Sequence, residues 1–413
     1  MGSRLTPEFI TWLQELRREF HQYPELSLQE VRTTARVIEI MKDLGLEVRS
    51  FTDMPGAVGV LKGAGAGASI ALRADMDALP IQETCDVSWR SRIDGQMHAC
   101  GHDAHTSIML GVAKNLVESG LSKKMTGDVI FIFQPAEETG LGAKMMIDRG
   151  ILEEFTISKI LACHVSGILQ AGQVGVCPGV SHAQAKTFQI KISGKGAHGA
   201  RPHQAIDSIV ATAHLITAIQ TIVGRNLNPG HAGVISVGSI VAGKAPNVIP
   251  DHADLTGTIR AFDQKDMTLL CQRLKEICKG IEHSFQTTCK LEIKETFPLW
   301  TNDKAVCDIA VNAANSLWST KCVEIISAQT GSEDFGYFTQ KVPGAMIRLG
   351  CANSDRGLKP VFHASNFDFD EKVLGVGVEL FTEIITQNLT SKQSKHALNC
   401  KTKDHSGKKD IYV

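Results

Sequence analysis

Four short groups of residues along this sequence have side chains of the types that bind metal ions. They are Cys100 with His102, the pair Glu137 and Glu138, Cys163 with His164, and His363. A thiolate and an imidazole two residues apart can bind one metal ion, and the other groups follow apolar stretches that are typical of strands. One thiolate, several imidazoles and a carboxylate pair together indicate a metal centre suited to hydrolysis, with two ions.

The carboxylate pair has two interpretations. Neighbouring residues at a strand end point in different directions, so one of Glu137 and Glu138 can bind metal while the other takes a proton from the water that the metal activates. Pro135 and Ala136, soon after the apolar run at 129–133, favour this placement. The alternative is two surface carboxylates at a helix start, stabilised by the helix dipole.

The other candidates also have ordinary structural interpretations. Cys100 could be a buried thiol beside a turn glycine, with His102 capping the next helix. His164 and His363 could be hydrogen-bonded core histidines. The joint occurrence is stronger than any one member, because all four groups fall at strand ends or in adjoining loops of one sheet, where α/β proteins place their sites.

The elements around these residues predict a large α/β domain. The chain has 413 residues, too many for one ordinary core, which predicts two domains. Apolar strands at 57–61, 70–72, 129–133 and 160–163 alternate with helical patterns at 7–20, 28–45, 106–117 and 143–149. Continuous apolar strands between helices predict a mainly parallel central sheet covered on both faces.

A different pattern begins near residue 183 and predicts a smaller inserted domain. Its order is a strand at 188–192, a helix at 203–223, strands at 233–241 and 253–262, a helix at 265–283 and a strand at 290–295. This β-α-β-β-α-β order is typical of a ferredoxin-like domain. The α/β pattern then resumes, with helices at 303–317 and 371–385 and a strand at 345–349. We therefore expect a catalytic domain over 1–182 and 298–390, interrupted by an inserted domain over 183–297.

The bulk composition argues against several classes of partner. The formal net charge is −1, which gives no overall field for nucleic acid. No apolar run approaches the roughly 20 residues of a membrane helix, and the first residues lack the apolar core of a signal peptide. We expect a cytoplasmic protein whose eleven cysteines are mostly free thiols. Residues 391–413, with six Lys and two Asp, are expected to form a disordered basic tail.

Seven segments resemble the aminoacylase/carboxypeptidase family of metal-dependent amidohydrolases. The resemblance is to the branch that holds hippurate hydrolases, N-acetyl-amino-acid deacetylases and the plant auxin–amino-acid conjugate hydrolases. The segments are LRADMDALP (72–80), HACGHD (98–103), FQPAEE (133–138), SGKGAH (193–198), PNVIP (246–250), GTIR (257–260) and GSEDF (331–335). They follow the family's order between residues 20 and 370, so the resemblance covers nearly the whole chain.

The resemblance implies a role for each residue that matches the family's motifs. The implied metal ligands are Cys100, His102, Glu138, His164 and His363, with Glu137 as general base. The inserted domain would be a lid that forms a homodimer, so that His198 reaches the partner's site and polarises the scissile carbonyl.

The same resemblance implies two substrate-binding residues, Asn247 and Arg260. Arg260 suits the free carboxylate of an amino acid through two parallel hydrogen bonds. Other interpretations stay open: His198 as a turn residue, Arg260 as an exposed strand residue and Asn247 as a turn former before Pro250.

One departure from the wider family bears on the metal. A His-x-Asp triplet usually supplies a first ligand there, whereas Asp75 and Asp77 flank Met76 here, as in this branch. Asp75 and Asp77 would then orient ligands such as His102. The thiolate of Cys100 favours zinc, while relatives in this branch are often manganese enzymes. We expect two divalent ions per subunit, Mn²⁺ or Zn²⁺, with Co²⁺ as a further candidate.

These expectations define one function and its rivals. The expected reaction is cleavage of the amide bond of an N-acyl or N-aroyl amino acid, by metal-activated hydroxide and a Glu base, to a carboxylic acid and a free amino acid. A dipeptidase or carboxypeptidase would use the same centre. A catalytically silent metal- or ligand-binding dimer would not need the Glu137–Glu138 pair. A redox or metal-storage protein is suggested only by the cysteine count.

Overall fold

A computed structural model describes residues 3–390 of the chain. The expected tail at 391–413 lies outside the described residues. Within the described part, no helix is both long and apolar enough to cross a membrane.

Ten α-helices occur within residues 3–390. They are α1 (Pro7–Gln22), α2 (Val31–Asp43), α3 (His102–Glu118), α4 (Gly142–Asp148), α5 (Ile151–Glu154), α6 (Ser208–Asn226), α7 (Gln264–Phe285), α8 (Lys304–Leu317), α9 (Gly336–Thr339) and α10 (Lys372–Leu389). Side chains of Asp207, Asp263 and Asp303 accept hydrogen bonds from the first turns of α6, α7 and α8 and so fix where these helices begin.

Sixteen strands occur in the same described range. They are β1 (Glu47–Ser50), β2 (Ala57–Leu61), β3 (Ser69–Asp75), β4 (Val129–Gln134), β5 (Ile157–Gln170), β6 (Val174–Val176), β7 (Gly179–His182), β8 (Gln184–Ser193), β9 (Ala197–His198), β10 (Gly233–Ala242), β11 (Val248–Ile249), β12 (His252–Ala261), β13 (Thr288–Phe297), β14 (Trp300–Asn302), β15 (Val323–Ile325) and β16 (Gly344–Ala352).

The large sheet has eight strands in the order β1-β2-β4-β3-β5-β16-β6-β15. Its centre is parallel, because β3 pairs in parallel with both β4 and β5, and β5 pairs in parallel with β16. Successive side chains of a strand face opposite sides, and both sides are buried here. One side packs on α1, α3, α8 and α10, and the other packs on α4, α5 and α9. The predicted α/β architecture is confirmed.

The small sheet has four antiparallel strands in the order β10-β12-β8-β13. Apolar residues of α6 and α7 pack against it and form a separate core. This order and the two helices confirm the ferredoxin-like prediction. The segments entering and leaving this part of the chain, β7 and β14, pair with each other. The domain limits of 1–182, 183–297 and 298–390 stay predictions.

Two elements differ from the sequence-based expectation in ways that matter for the site. Helix α3 begins at His102 and not at residue 106, because Gly101, with a φ of 88°, starts the helix before its apolar residues begin. Strand β5 runs to Gln170 and not to residue 163, so His164 lies within the strand. The polar residues Ser158, Lys159 and Ser166 interrupt the apolar run that indicated a short strand.

Candidate metal centre

The candidate residues meet at one edge of the large sheet. Strands β3 and β4 end at Asp75 and Gln134, and Glu137 and Glu138 follow directly. Arg73 of β3 is level with Ala162 of β5, so the end of β3 lies beside His164 although β5 continues. Parallel strands thereby bring their carboxyl ends, and the side chains that follow them, to the same place.

His102 is held with one ring nitrogen free. Its Nδ1 lies 3.1 Å from Oδ1 of Asp77, which fixes the tautomer that keeps a lone pair on Nε2. The other oxygen of Asp77 accepts hydrogen bonds from Ser27 Oγ at 2.7 Å and from the backbone N–H of Glu138 at 3.0 Å. Asp77 therefore orients His102 and the Glu138 segment together.

His164 is held in a similar way. Its Nδ1 donates to the backbone carbonyl of Val165 at 2.8 Å, and its Nε2 lies 3.5 Å from Sγ of Cys100. Burial lowers the pKa of His164 well below its usual value, and His105 and Arg348 add to this effect. A neutral imidazole with a free Nε2 is the form that binds metal.

His363 and Glu138 complete the cluster on its exposed side. Nε2 of His363 lies 3.5 Å from Oε1 of Glu138, and the His363 side chain is 51% exposed. The nearby thiol of Cys100 and then the carboxylate of Glu138 raise the pKa of His363 to about 10. The backbone of His363 has a φ of 62°, which non-glycine residues seldom adopt.

The donor set fits divalent metal ions. Sγ of Cys100 lies within 4.8 Å of nitrogens of His102 and His164, and within 4.8 Å of atoms of Glu138 and His363. Nε2 of His102 and Oε1 of Glu138 are buried without a hydrogen-bond partner among residues 3–390. A buried unpaired acceptor is costly, and a bound cation would satisfy both atoms.

Glu137 is next to this cluster and points toward another group of acids. Its Oε2 lies 3.9 Å from Nε2 of His102. Burial raises the pKa of Glu137 well above its usual value, and Glu333, Glu138 and Asp334 raise it further. A buried carboxyl group that readily holds a proton suits a general acid–base.

The segment before Glu137 is fixed by a residue distant in sequence. Ala136 has a φ of 54°, and its N–H donates to Oε1 of Glu30 at 2.7 Å. Burial, together with the charge of Asp77, raises the pKa of Glu30 to about 8. No sequence pattern marked Glu30, because it lies in the loop before α2.

Asp75 supports the site through His105. Its Oδ1 accepts from Nδ1 of His105 at 2.6 Å, and Nε2 of His105 accepts from the backbone N–H of Val165 at 2.9 Å. Both nitrogens of His105 are thus engaged. Burial alone would raise the pKa of Asp75, but His102, Arg73 and His105 hold it well below its usual range.

A buried arginine that sequence reasoning missed joins these acids. Arg73, fully buried, contacts Asp75 at 2.5 Å, Glu333 at 3.1 Å and Asp334 at 3.0 Å. Glu333 and Asp334 belong to the GSEDF segment, so the motif was visible, but its contact with a strand 260 residues earlier was not.

The two predicted substrate residues and His198 lie in the small-sheet part of the chain. Arg260 donates from Nη1 to the carbonyl of Thr330 at 2.9 Å and to Oγ of Ser332 at 2.6 Å. It lines a cavity of about 600 Å³ that also contains Cys100 and Glu138. His198 and Asn247 are exposed and adjacent, and neither lines this cavity within the single chain.

Cys163 was marked as ligand-like but faces the other way. Its side chain is 1% exposed and packs in the hydrophobic core, because neighbouring residues of a strand point to opposite faces. Burial raises the pKa of the Cys163 thiol far above its usual value. Only His164 of this pair is directed to the candidate centre.

Comparison with known proteins assigns this arrangement to a family. The model of peptidase family M20/M25/M40 matches residues 71–387. A thermostable carboxypeptidase of Saccharolobus solfataricus is 36% identical over 90% of this chain and 93% of its own length. An IAA-amino acid hydrolase of Arabidopsis thaliana is 35% identical over 98% of this chain and 90% of its own length.

A solved structure carries the same fold. It is a dinuclear metal-binding M20 peptidase of Bacillus subtilis, with a TM-score of 0.81 and 31% identity, covering 93% of this chain and 99% of that chain.

Proposed function

We propose that this chain, which belongs to the M20/M25/M40 peptidase family, hydrolyses the amide bond of N-acyl or N-aroyl amino acids. The family makes it a metal-dependent amidohydrolase, and what we propose is the class of substrate that it cleaves. The products are a carboxylic acid and a free amino acid. The observation that carries the proposal is the cavity that four of the five metal-binding side chains line together with Glu137 and Arg260.

Five side chains would hold two divalent ions, Mn²⁺ or Zn²⁺, with Co²⁺ as a further candidate. They are Cys100, His102, Glu138, His164 and His363. The bound ions supply Lewis-acid activation of the amide carbonyl and of water. Asp77 and Asp75 orient the histidines, directly at His102 and through His105.

Glu137 is the proposed general base. It takes a proton from the attacking water and later delivers that proton to the nitrogen of the leaving amine. Its burial supports this role, because the raised pKa allows the carboxyl group to retain the proton until the amine departs.

Arg260 is proposed to bind the free carboxylate of the amino-acid half. Its guanidinium lines the same cavity as Glu137 and Glu138. The names of the matched relatives support this choice: a carboxypeptidase and an IAA-amino acid hydrolase both release an amino acid with a free carboxylate.

We further propose that the chain forms a homodimer in which His198 and Asn247 serve the partner's site. His198 would polarise the scissile carbonyl, and Asn247 would hold the substrate. Their exposure within the single chain supports this arrangement, because side chains that act on a partner's substrate have to be accessible.

A cytoplasmic location is also proposed. The ten cysteines of residues 3–390 are all free, which is how a reducing compartment keeps thiols.

A carboxypeptidase or dipeptidase is the second candidate, and the S. solfataricus relative is the observation that favours it. Metal-stripped protein, with Mn²⁺, Zn²⁺ or Co²⁺ added back, would be given N-acetyl amino acids, hippurate and dipeptides. Chromatography of the released amino acid identifies the products. Release from the N-acylated compounds supports the proposal, release from dipeptides alone supports the alternative, and no release from protein that binds two ions indicates a silent binding protein.

A further inference from the structure

Arg348 is a buried arginine without a carboxylate partner. It lies on β16 directly opposite His164 of β5, and only 8% of its surface is exposed. Its one side-chain hydrogen bond within residues 3–390 joins Nη2 to Nε2 of His182 at 2.9 Å. No carboxylate oxygen of the described residues lies within 4.0 Å of its guanidinium. Each of the other two buried arginines in this part of the chain has such an oxygen within that distance.

The two other buried arginines show the contrast. Arg17 lies 2.8 Å from Asp103 and also contacts Glu371, and Arg73 contacts three carboxylates. Burying a charged group is costly unless an opposite charge compensates it. Arg17 and Arg73 obtain that compensation from the protein itself, whereas Arg348 does not.

His182 accepts from Arg348 but does not neutralise it. Its ring stacks on Trp300 with a centroid distance of 4.4 Å, and its Nδ1 lies 3.1 Å from Oγ of Ser181. Burial and the charge of Arg348 lower the pKa of His182 to about 2, so the ring is neutral. His182 therefore holds the guanidinium in place without neutralising it, and the Trp300 ring, whose centroid lies 5.6 Å away, is an uncharged neighbour.

Arg348, which has no direct ion pair within residues 3–390, lines the cavity of the candidate active site. Arg348, His164 and Arg260 line the same cavity of about 600 Å³. Glu137, Glu138 and Glu333 also line it, but none lies within 4.0 Å of the Arg348 guanidinium, and Glu333 is paired with Arg73 at 3.1 Å. The cavity thus contains two arginines, one from each sheet of the molecule, and an anionic ligand bound there would supply the direct ion pair that Arg348 lacks within residues 3–390.

We propose that Arg348 binds a second carboxylate of the substrate, so that the preferred substrate is an N-acyl amino acid with two carboxylates. This inference rests on the proposed function, in which Arg260 binds the first. The second carboxylate belongs either to an acidic amino acid, as in N-acyl glutamate, or to a dicarboxylic acyl group, as in an N-succinyl amino acid. Arg348 is then a specificity-determining residue.

The test compares acids with neutral amides of the same shape. Values of kcat/KM would be measured for N-acetylglutamate against N-acetylglutamine, and for N-succinylalanine against its succinamide analogue. We expect Arg348→Met to lower kcat/KM for one of the two acids about 10- to 100-fold more than for its amide, the range for a hydrogen bond to a charged group. The pair that responds identifies which half carries the second carboxylate.

Control variants separate charge from shape and from folding. Arg348→Lys keeps the charge and should retain part of the preference, and Arg356→Met removes an exposed arginine and should retain all of it. Calorimetric binding of N-acetylglutamate and N-succinylalanine to Glu137→Gln protein, with and without Arg348→Met, gives a readout other than turnover. Thermal unfolding of each variant confirms folding.

Two results would overturn the inference. One is an unchanged acid-to-amide ratio in Arg348→Met for both pairs. The other is an equal loss for acids and amides, which would make Arg348 a binder of the single α-carboxylate. A wild-type protein that cleaves no N-acyl amino acid, yet binds a diacid more tightly than Arg348→Met does, would refute the proposed function and leave the Arg348 site standing.

Discussion

Nε2 of His102 and Oε1 of Glu138 lie 3.8 Å apart inside the molecule, and neither atom has a hydrogen-bond partner within residues 3–390. Both atoms are acceptors in the forms that bind metal, so a cation between them would satisfy both at once. Metal binding should therefore stabilise the fold as well as provide catalysis.

The first prediction concerns this stabilisation. Removing metal with a chelator should lower the melting temperature. Adding Mn²⁺ or Zn²⁺ at about 1,000 times its Kd should raise the free energy of unfolding by about 4 kcal/mol. Glu138→Gln should lose most of the metal-dependent shift, because an amide N–H can donate to His102 in the ion's place. Calorimetric melting with and without metal measures both effects. Glu153→Gln, at an exposed site, is the control, and an identical metal response in both variants would contradict the prediction.

The second prediction concerns Asp77. Asp77→Asn should weaken metal affinity about 10- to 100-fold, because the amide does not favour the His102 tautomer that leaves Nε2 free. Competition with a metal-binding dye measures the change. Asp86→Asn, an exposed aspartate, should bind metal like the wild type. Wild-type affinity in Asp77→Asn would show that the carboxylate does not orient the ligand.

The third prediction separates Glu137 from the metal ligands. Glu137→Gln should bind two ions as the wild type does and lower kcat by at least about 10³-fold, the upper part of the usual acid–base range. Metal content by elemental analysis and steady-state turnover would be measured on the same sample. Near-native turnover in a metal-replete sample would remove Glu137 from the role of base.

The fourth prediction tests His198 across the dimer. Glu137→Gln and His198→Ala should each be nearly inactive alone, and mixed dimers should regain activity, since one site then has an intact Glu137 and receives the partner's intact His198. Mixed dimers of wild type with the double variant should be inactive. The subunits would be mixed by mild denaturation and refolding, with dimer exchange followed by mass spectrometry. Activity of the wild-type/double mixed dimers would place His198 in its own subunit's site.

The fifth prediction concerns the pH dependence of stability. The pKa of Glu30 is raised from 4.5 to about 8, so the folded state holds the proton more tightly than the unfolded state. The stability that the Glu30 proton gives the folded state is complete below pH 4.5 and is lost as the pH rises to about 8. Glu30→Gln, which imitates the protonated group and can still accept from Ala136, should lose less stability over this range. Urea unfolding from pH 5 to 9 measures the free energy of unfolding of both proteins. An equal loss of that free energy with pH in wild type and Glu30→Gln would contradict the assignment.

The sequence predicted those parts of the molecule that depend on local patterns. Apolar runs indicated the strands of the large sheet, and alternation with helices indicated both domains. Short motifs drew attention to Cys100, His102 and Glu138, which the fold brings together. Glu138 lies just after β4, and Cys100 and His102 lie where the chain enters α3. The carboxyl ends of parallel strands, and the segments that follow them, meet at one edge of the sheet.

Other features depend on contacts that no local pattern encodes. The pairing of Arg73 with Glu333 joins residues 260 positions apart. Arg348 lies in an otherwise apolar strand, and only the structure shows that its neighbour is His182 and not a carboxylate. The sequence placed Cys163 among the candidate ligands because it precedes His164. Neighbouring side chains of a strand face opposite sides, so Cys163 points away from the metal centre.

The contacts of Arg260 have a further consequence. Its guanidinium, carried by the four-stranded sheet, is bound to the carbonyl of Thr330 and the hydroxyl of Ser332 in the other part of the molecule. Both contacts use Nη1, so Nε and Nη2 can bind a ligand carboxylate while these two contacts remain. One guanidinium would then join the small sheet both to the ligand and to the Thr330–Ser332 segment, so a carboxylic product is expected to hold the enzyme closed and to delay the next turnover.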